Sequence, residues 1–205
     1  MGLYGDVVFP WLLDHLEGPE LRELRAATVK EAAGEVLEIG FGTGGNLPWY
    51  GEGVSSVTAV EPASGMNRRA RRRIAGAPVP VKLVPGPGEA LPFADASFDS
   101  VVMTITLCTV EDPVSVLAGA RRVLRPGGRY CFFEHVASAD PKVRTWQNRL
   151  NGISRVIGCG CNLNRDTEAS IRTAGFRLER LEHVVSRAMP IPKLYPLITG
   201  VAVKP

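Results

Sequence analysis

The sequence predicts an α/β fold in which helices cover both faces of a doubly wound, parallel β-sheet. Short apolar runs rich in β-branched residues alternate with helical stretches, a pattern typical of strands that are buried on both sides. Right-handed crossovers between parallel strands produce the doubly wound arrangement. The predicted strands lie at Val36–Ile39, Val57–Val60, Val81–Val84, Phe98–Ile105 and Tyr130–Phe133.

Helices are predicted at Pro19–Ala33, Ser64–Ile74 and Asp112–Leu124, among others. The third carries the clearest start and stop signals. Asp112 is a suitable N-cap, Pro113 lies in the first turn, and a Pro-Gly-Gly sequence follows the last turn. Ligands of such sheets bind beyond the carboxyl ends of the strands, so the functional residues should lie there.

Length and composition indicate one globular domain. The chain has 205 residues, of which 45% are hydrophobic and 22% charged, with a net charge of +3. The basic run Arg68–Arg73 contains no aromatic residue for base stacking, so we interpret it as a solvated helix face and expect no nucleic-acid partner. Without a signal peptide or an apolar run of about 18 residues, we expect a cytoplasmic protein with no stable membrane insertion.

The four cysteines predict neither a metal site nor a structural disulfide. Cys108 and Cys131 fall in apolar runs, where a free thiol behaves as a small hydrophobic group. Cys159 and Cys161 are separated by one residue, and no second Cys or His pair follows at the spacing of a zinc site.

A glycine-rich turn with an acid on either side is the main functional signal. The first strand runs into Glu38-Ile39-Gly40-Phe41-Gly42-Thr43-Gly44-Gly45, which also satisfies a dinucleotide-binding fingerprint. Glu38 suits a cationic amino group, whereas a pyrophosphate would gain nothing from a carboxylate there. Glu61 ends the second strand, where it can accept both hydroxyls of a ribose. The alternative is that either acid caps a following helix.

Further motifs follow in a fixed order. They are Glu89-x-Leu91-Pro92-Phe93, Phe98-Asp99 and Leu124-Arg125-Pro126-Gly127-Gly128. Together with the glycine turn and Glu61, this series resembles the class I S-adenosylmethionine-dependent methyltransferases over about residues 36–134. The resemblance implies a Rossmann-like, mostly parallel sheet of seven strands whose last strand is antiparallel, with S-adenosylmethionine as the cofactor. A nicotinamide-dependent oxidoreductase and a non-catalytic cofactor-binding module are the competing classes.

The resemblance also implies an organisation of the chain. Residues 1–205 would form one methyltransferase domain, with residues 34–135 as the cofactor-binding core and residues 136–205 as a substrate-side insertion followed by C-terminal strands. Residues 1–33 would be an N-terminal helical segment. For its apolar first part, residues 1–18, two interpretations stay open: packing against the sheet edge, or a lid over the cofactor.

Cofactor-binding roles follow from the resemblance, position by position. Glu38 would orient the methionine amino group and Glu61 would hold the ribose. The methionine moiety would also be lined by the turn and the residues after the fourth strand, namely Gly40, Gly42, Gly44, Thr104 and Leu107. The adenine would be bordered by Pro62, Met66, Gly88 and Glu89. Many relatives carry an aspartate where this chain has Pro87, so adenine recognition must use the backbone or another side chain.

Motifs in the second half narrow the resemblance. The segments at residues 104–110, 133–137, 158–167 and 200–204 resemble the alkyl-thiol S-methyltransferases of the methyltransferase-like seven group. This implies a small, fairly apolar acceptor with a thiol favoured. Phospholipid N-methyltransferases and quinone-ring C-methyltransferases are similar enough to remain alternatives.

His135 is the candidate catalytic residue, because it lies at the carboxyl end of the fifth strand and a thiol needs a base near neutral pKa. A structural, hydrogen-bonded role is the alternative. Asn162 and Arg165 either line the acceptor pocket or cap the helix that begins near Asp166. Trp146 lies in a helix-like insertion at residues 141–157 and either walls the acceptor pocket or packs in the core.

Overall fold

The computed structural model describes residues 3–185 and 192–205, which form a seven-stranded sheet flanked by helices. The strands are β1 (Gly34–Ile39), β2 (Val54–Val60), β3 (Val81–Val84), β4 (Phe98–Thr104), β5 (Leu124–His135), β6 (Arg177–Val184) and β7 (Leu197–Val203). The helices are α1 (Phe9–Leu16), α2 (Pro19–Val29), α3 (Ser64–Ile74), α4 (Pro113–Val123), α5 (Pro141–Ile157) and α6 (Thr167–Thr173).

The sheet order is β3-β2-β1-β4-β5-β7-β6. Strands β1 to β5 pair in parallel, whereas β7 is antiparallel to both β5 and β6. The predicted fold class, including the antiparallel last strand, is therefore confirmed. From β1 the chain first adds β2 and β3 on one side of the sheet and then returns to add β4 and β5 on the other side. The strand order therefore reverses between β1 and β4, and ligands of such sheets bind at the carboxyl ends of the two strands at this switch point.

Each face of the sheet carries its own apolar core. Alternate residues of β1 point to opposite faces, so Leu37 and Ile39 join one cluster while Val36 joins the other. Burial on both sides explains the near-continuous apolar runs of the sequence.

The predicted helices agree with the structure except at one end. Helix α3 spans the predicted residues, and the Asp112 carboxylate caps α4 by accepting from the Val114 and Ser115 N–H groups. Helix α2 ends at Val29, four residues before the predicted Ala33, because a turn leads the chain into β1. Among the helices of the described residues, none has both the length and the apolar character needed to cross a bilayer.

Candidate functional site

The turn after β1 is held open by glycines in the left-handed region. Gly40, Gly42 and Gly44 have φ values of +75°, +57° and +83°, which side chains other than glycine rarely adopt. A Cβ on Gly40 would lie 2.3 Å from the Thr106 hydroxyl oxygen, whereas a Cβ on Gly42 would meet nothing within 4 Å. The turn thus packs against the loop after β4 on one side and leaves open space on the other.

Glu38 lies beneath this turn in a buried hydrogen-bond network. Its carboxylate accepts from the Tyr50 hydroxyl (2.6 Å) and the Asn46 amide (2.8 Å). Arg25 donates to Asn46 Oδ1 (2.7 Å) and Thr104 Oγ1 (2.8 Å). Burial raises the pKa of the Glu38 carboxyl to about 7. The network therefore places a titratable acid within reach of the switch point, and the sequence pattern did not reveal Tyr50, Asn46 or Arg25 as its partners.

Glu61 joins two turns at the carboxyl end of β2. Its carboxylate accepts from the Gly42 N–H (2.8 Å) and from the Ala63 N–H (2.8 Å) at the start of α3, and burial raises its pKa. Glu61 does not cap α3, because Ala63 is itself the N-cap residue and, among the described residues, no N–H within the helix donates to the Glu61 carboxylate. A carboxylate has about four acceptor positions, so two remain for hydroxyl donors on a ligand.

The residues assigned to the adenine lie around the neighbouring strand ends. Met66 is buried in α3, and Pro62 is exposed. Gly88 is buried so closely against β1 that a Cβ would lie 2.7 Å from Ile39 Cγ2. The Glu89 carboxylate accepts from the Glu111 N–H (3.2 Å), which leaves the Glu89 backbone as its ligand-facing candidate.

The N-terminal segment lies over the glycine turn. Asp14 accepts from the Thr43 hydroxyl (2.6 Å) and forms ion pairs with Arg69 (2.9 Å) and Arg73 (2.8 Å). A Cβ on Gly65 would overlap Asp6, so the first turn of α3 is also covered. The basic run is therefore more than a solvated helix face, because two of its arginines hold this segment.

On the other side of the switch point, Glu134 organises the loop after β4. Its buried carboxylate accepts the N–H groups of Thr106 (2.9 Å), Leu107 (2.9 Å) and Cys108 (3.3 Å), and burial raises its pKa to about 7. Ile105 has φ +55°, a costly conformation for a β-branched residue. Glu134 thus fixes the backbone of both Thr106 and Cys108. Of these two residues, Thr106 packs against the glycine turn.

A second loop, residues 158–165, is hydrogen-bonded to the loop after β4. Arg165 donates to the carbonyls of Leu107 and Val110 (2.8 Å to Val110). Asn162 donates to the Cys108 carbonyl from its backbone N–H (2.7 Å) and from its amide (3.0 Å). The two loops therefore form one hydrogen-bonded unit beside the carboxyl ends of β4 and β5.

Two interpretations of the second half are wrong. Asn162 and Arg165 do not cap α6, because the Asp166 side chain itself accepts from the Ala169 N–H (3.1 Å). Trp146 does not pack in the core, because it is 55% exposed on α5. The apolar residues grouped with it are exposed as well, namely Ile153, Val156 and Ile157.

His135 ends β5 and is buried against the two loops. Its Nδ1 lies 3.4 Å from Cys161 Sγ and 3.8 Å from Cys108 Sγ, and its ring is tilted against Tyr195. The Cys108 thiol donates toward Cys161 and lowers its pKa, with a further contribution from His135. The sequence did not reveal this cluster, because its members come from three separate segments.

The glycine side of the site fits S-adenosylmethionine. Open space above Gly42 admits a ligand to the backbone, Glu61 has free acceptor positions for a ribose, and the buried Glu38 offers a carboxylate toward a cationic amino group. Two polar parts of that cofactor, its ribose and its methionine amino group, thus have candidate partners in Glu61 and Glu38.

Comparisons with known proteins agree with this geometry. The methyltransferase domain family model matches residues 37–132. A thiol S-methyltransferase of Rattus norvegicus is 32% identical over 211 residues, covering 96% of this chain and 86% of that protein. A phosphatidylethanolamine N-methyltransferase of Cereibacter sphaeroides is 36% identical over 163 residues, 78% of each chain.

Among solved structures, a S-adenosylmethionine-dependent methyltransferase of Thermotoga maritima superposes with a TM-score of 0.69 at 23% identity, covering 99% of this chain and 98% of that one. The structural likeness confirms the fold, and the family match excludes the nicotinamide-dependent class. The chain belongs to the class I S-adenosylmethionine-dependent methyltransferases, in the group that includes the thiol S-methyltransferases, and S-adenosylmethionine is its cofactor.

Proposed function

We propose that this enzyme transfers a methyl group from S-adenosylmethionine to a small, fairly apolar thiol. The observation that carries the proposal is the similarity to a thiol S-methyltransferase over 96% of the chain. That range includes His135 and the loop at residues 158–165, which lie outside the residues matched by the family model, 37–132. The similarity to a thiol methyltransferase therefore extends to the segments to which we assign the acceptor.

The cofactor supplies an activated methyl group. When bound, it would give that methyl group to the acceptor sulfur and keep the electron pair of the broken C–S bond on its own sulfur. The protein's task is to orient both reactants. We assign the methionine moiety to Glu38, the ribose to Glu61, and the remaining contacts to Gly40, Gly42, Gly44, Thr104 and Leu107. Pro62, Met66, Gly88 and Glu89 are assigned to the adenine.

We assign to His135 the deprotonation of the acceptor thiol, because a thiolate is the nucleophile. The position of His135 supports the assignment: it is the last residue of β5, beside the loop that packs on Gly40 through Thr106. Its Nδ1 is directed at sulfur atoms of the protein. Its Nε2 has no hydrogen-bond partner among the residues that the structure describes.

We also propose that residues 1–18 act as a lid. Met1 and Gly2 lie outside the described residues, but the rest of the segment covers the glycine turn through Asp14 and the start of α3 through Asp6. Holding this segment with Arg69 and Arg73 would keep water from the methyl group.

Partners and location follow from the same interpretation. We propose a small-molecule acceptor and no nucleic-acid partner, since Arg69 and Arg73 are already engaged by Asp14. We propose a cytoplasmic location, where a reducing environment would keep the buried Cys108 and Cys161 as free thiols.

An acceptor panel tests the proposal. Formation of S-adenosylhomocysteine is measured with an alkyl thiol, phosphatidylethanolamine vesicles and a demethylated quinone at equal cofactor concentration. We expect turnover with the thiol and none with the other two. Phosphatidylethanolamine is the second candidate, because an N-methyltransferase of that lipid matches 78% of the chain. Turnover with the lipid or the quinone and none with the thiol would replace the acceptor assignment.

A further inference from the structure

Three potential metal ligands from three different segments meet beside the carboxyl end of β5. Cys108 comes from the loop after β4, His135 from β5 itself, and Cys161 from the loop after α5. All three are buried, and their ligand atoms lie within 4.8 Å of one another. Sequence spacing excluded a metal site because Cys161 had no second pair nearby. In the fold, Cys108 and His135 supply the missing ligands from distant positions in the sequence.

The distances suit a tetrahedral metal ion. With Zn–S near 2.3 Å and Zn–N near 2.0–2.1 Å, a tetrahedron separates a nitrogen from a sulfur ligand by about 3.6 Å. The two separations from His135 Nδ1 are 3.4 Å and 3.8 Å, one on each side of that value. Small side-chain rotations would therefore bring the three atoms to equal distances from one ion.

The backbone that carries the ligands is already fixed. Glu134 accepts the Cys108 N–H (3.3 Å), and Asn162 donates to the Cys108 carbonyl. Ser154 donates to the Cys161 carbonyl (3.0 Å). A preformed ligand set of this kind lowers the ordering cost of binding an ion, as the outer partners of known metal ligands do.

We propose that Cys108, His135 and Cys161 form a binding site for a zinc-like divalent cation whose fourth position takes the acceptor thiolate. Two thiolates and one neutral imidazole select a borderline-soft ion and balance its charge. Three protein ligands with an open fourth position are the arrangement of catalytic zinc sites. An acceptor thiol would bind there as its thiolate and release its proton to water.

The fourth-ligand part of this inference rests on the proposed thiol methylation. In the metal-loaded protein the ion activates the thiol and His135 holds the ion through Nδ1, whereas the role of His135 as the base applies to the metal-free protein.

Cobalt titration of the full chain tests the site without any activity. Reduced protein freed of metal by a chelator is titrated with Co²⁺, and the thiolate-to-cobalt charge-transfer band is followed. We expect one ion per chain, displacement by Zn²⁺, and at least about 100-fold weaker binding in Cys108→Ser and Cys161→Ser. Cys159→Ser is the matched control and should bind cobalt as the wild type does. S-adenosylmethionine affinity reports that each variant is folded.

Absence of the charge-transfer band from the wild-type protein would overturn the site, and so would an equal loss in Cys159→Ser. A simple monothiol, ethanethiol, added to the cobalt form should increase the band by supplying a third sulfur. If metal-free protein methylates thiols as fast as zinc-loaded protein, the fourth-ligand role is wrong although the proposed function stands. If zinc-loaded protein methylates no thiol, the proposed function fails although the metal site stands.

Discussion

The cofactor side and the acceptor side of this active site are assembled in different ways. On the cofactor side, the turn at Gly40–Gly44, Glu38 and its partner Tyr50 lie within thirteen consecutive residues. On the acceptor side, Cys108, His135 and Cys161 come from three segments and are joined by the Glu134, Asn162 and Arg165 hydrogen bonds. A site built from one continuous segment can be recognised as a sequence motif, whereas a site built from three separate segments cannot. The two sides should therefore be separable by mutation.

The largest expected effect lies on the acceptor side. His135→Ala should lower thiol turnover by about 100-fold or more, the usual range for losing a general base, and loss of a metal ligand predicts the same direction. Affinity for S-adenosylmethionine, measured by isothermal titration, should stay within about twofold of the wild type, because the side-chain partners of His135 among the described residues are Cys108, Cys161 and Tyr195, none of which is assigned to the cofactor. Wild-type turnover in the variant at neutral pH would remove His135 from the mechanism.

The second-largest expected effect lies on the cofactor side. Glu61→Ala should weaken S-adenosylmethionine binding by about 1.5–3 kcal/mol, as expected for hydrogen bonds to a charged group, with an unchanged circular dichroism spectrum. Glu35→Ala is the matched control, because Glu35 is exposed at the opposite end of the sheet and pairs with Arg125 (2.6 Å). If both variants bind the cofactor equally well, the ribose is held elsewhere.

Two glycines of the turn on the cofactor side, Gly40 and Gly42, can be compared with each other. Gly42→Ala should cost about 1 kcal/mol of folding stability, since only its left-handed φ opposes a side chain. Gly40→Ala should cost at least about 2 kcal/mol, because its Cβ also overlaps Thr106. Urea denaturation measures both. Equal losses would show that the contact between the turn and the β4 loop is looser than the structure indicates.

The smallest expected effect is a pH dependence of cofactor affinity. The pKa of Glu38 is raised from 4.5 to about 7, so the carboxyl ionises and attracts a cationic amino group as the pH rises through that value. Affinity for S-adenosylmethionine should increase about three- to tenfold between about pH 6 and pH 7.5. Glu38→Gln should bind with a shallower profile over that range, in which Glu134 also titrates, and an equally steep profile in Glu38→Gln would exclude Glu38 as the source.

The stability of the ligand-free protein should change in the opposite direction. Because the folded protein holds the Glu38 proton up to about pH 7 and the unfolded chain releases it near pH 4.5, the contribution of Glu38 to stability falls as the pH rises through this window. Urea denaturation of the wild type and Glu38→Gln between those pH values isolates the contribution of this carboxyl.

Local patterns in the sequence determined the strands β1 to β5, the helix α3, the N-cap Asp112 and the glycine turn with its two acids. Each of these depends on residues that are neighbours along the chain, so periodicity, capping and turn chemistry are sufficient to predict them. Only the tertiary structure decided that Asp14 engages Arg69 and Arg73, that Asn162 and Arg165 fasten two loops, and that Cys108 and Cys161 meet at His135. These contacts join segments far apart in the chain, and their distances are set by how the strands and loops pack, which no spacing along the sequence encodes.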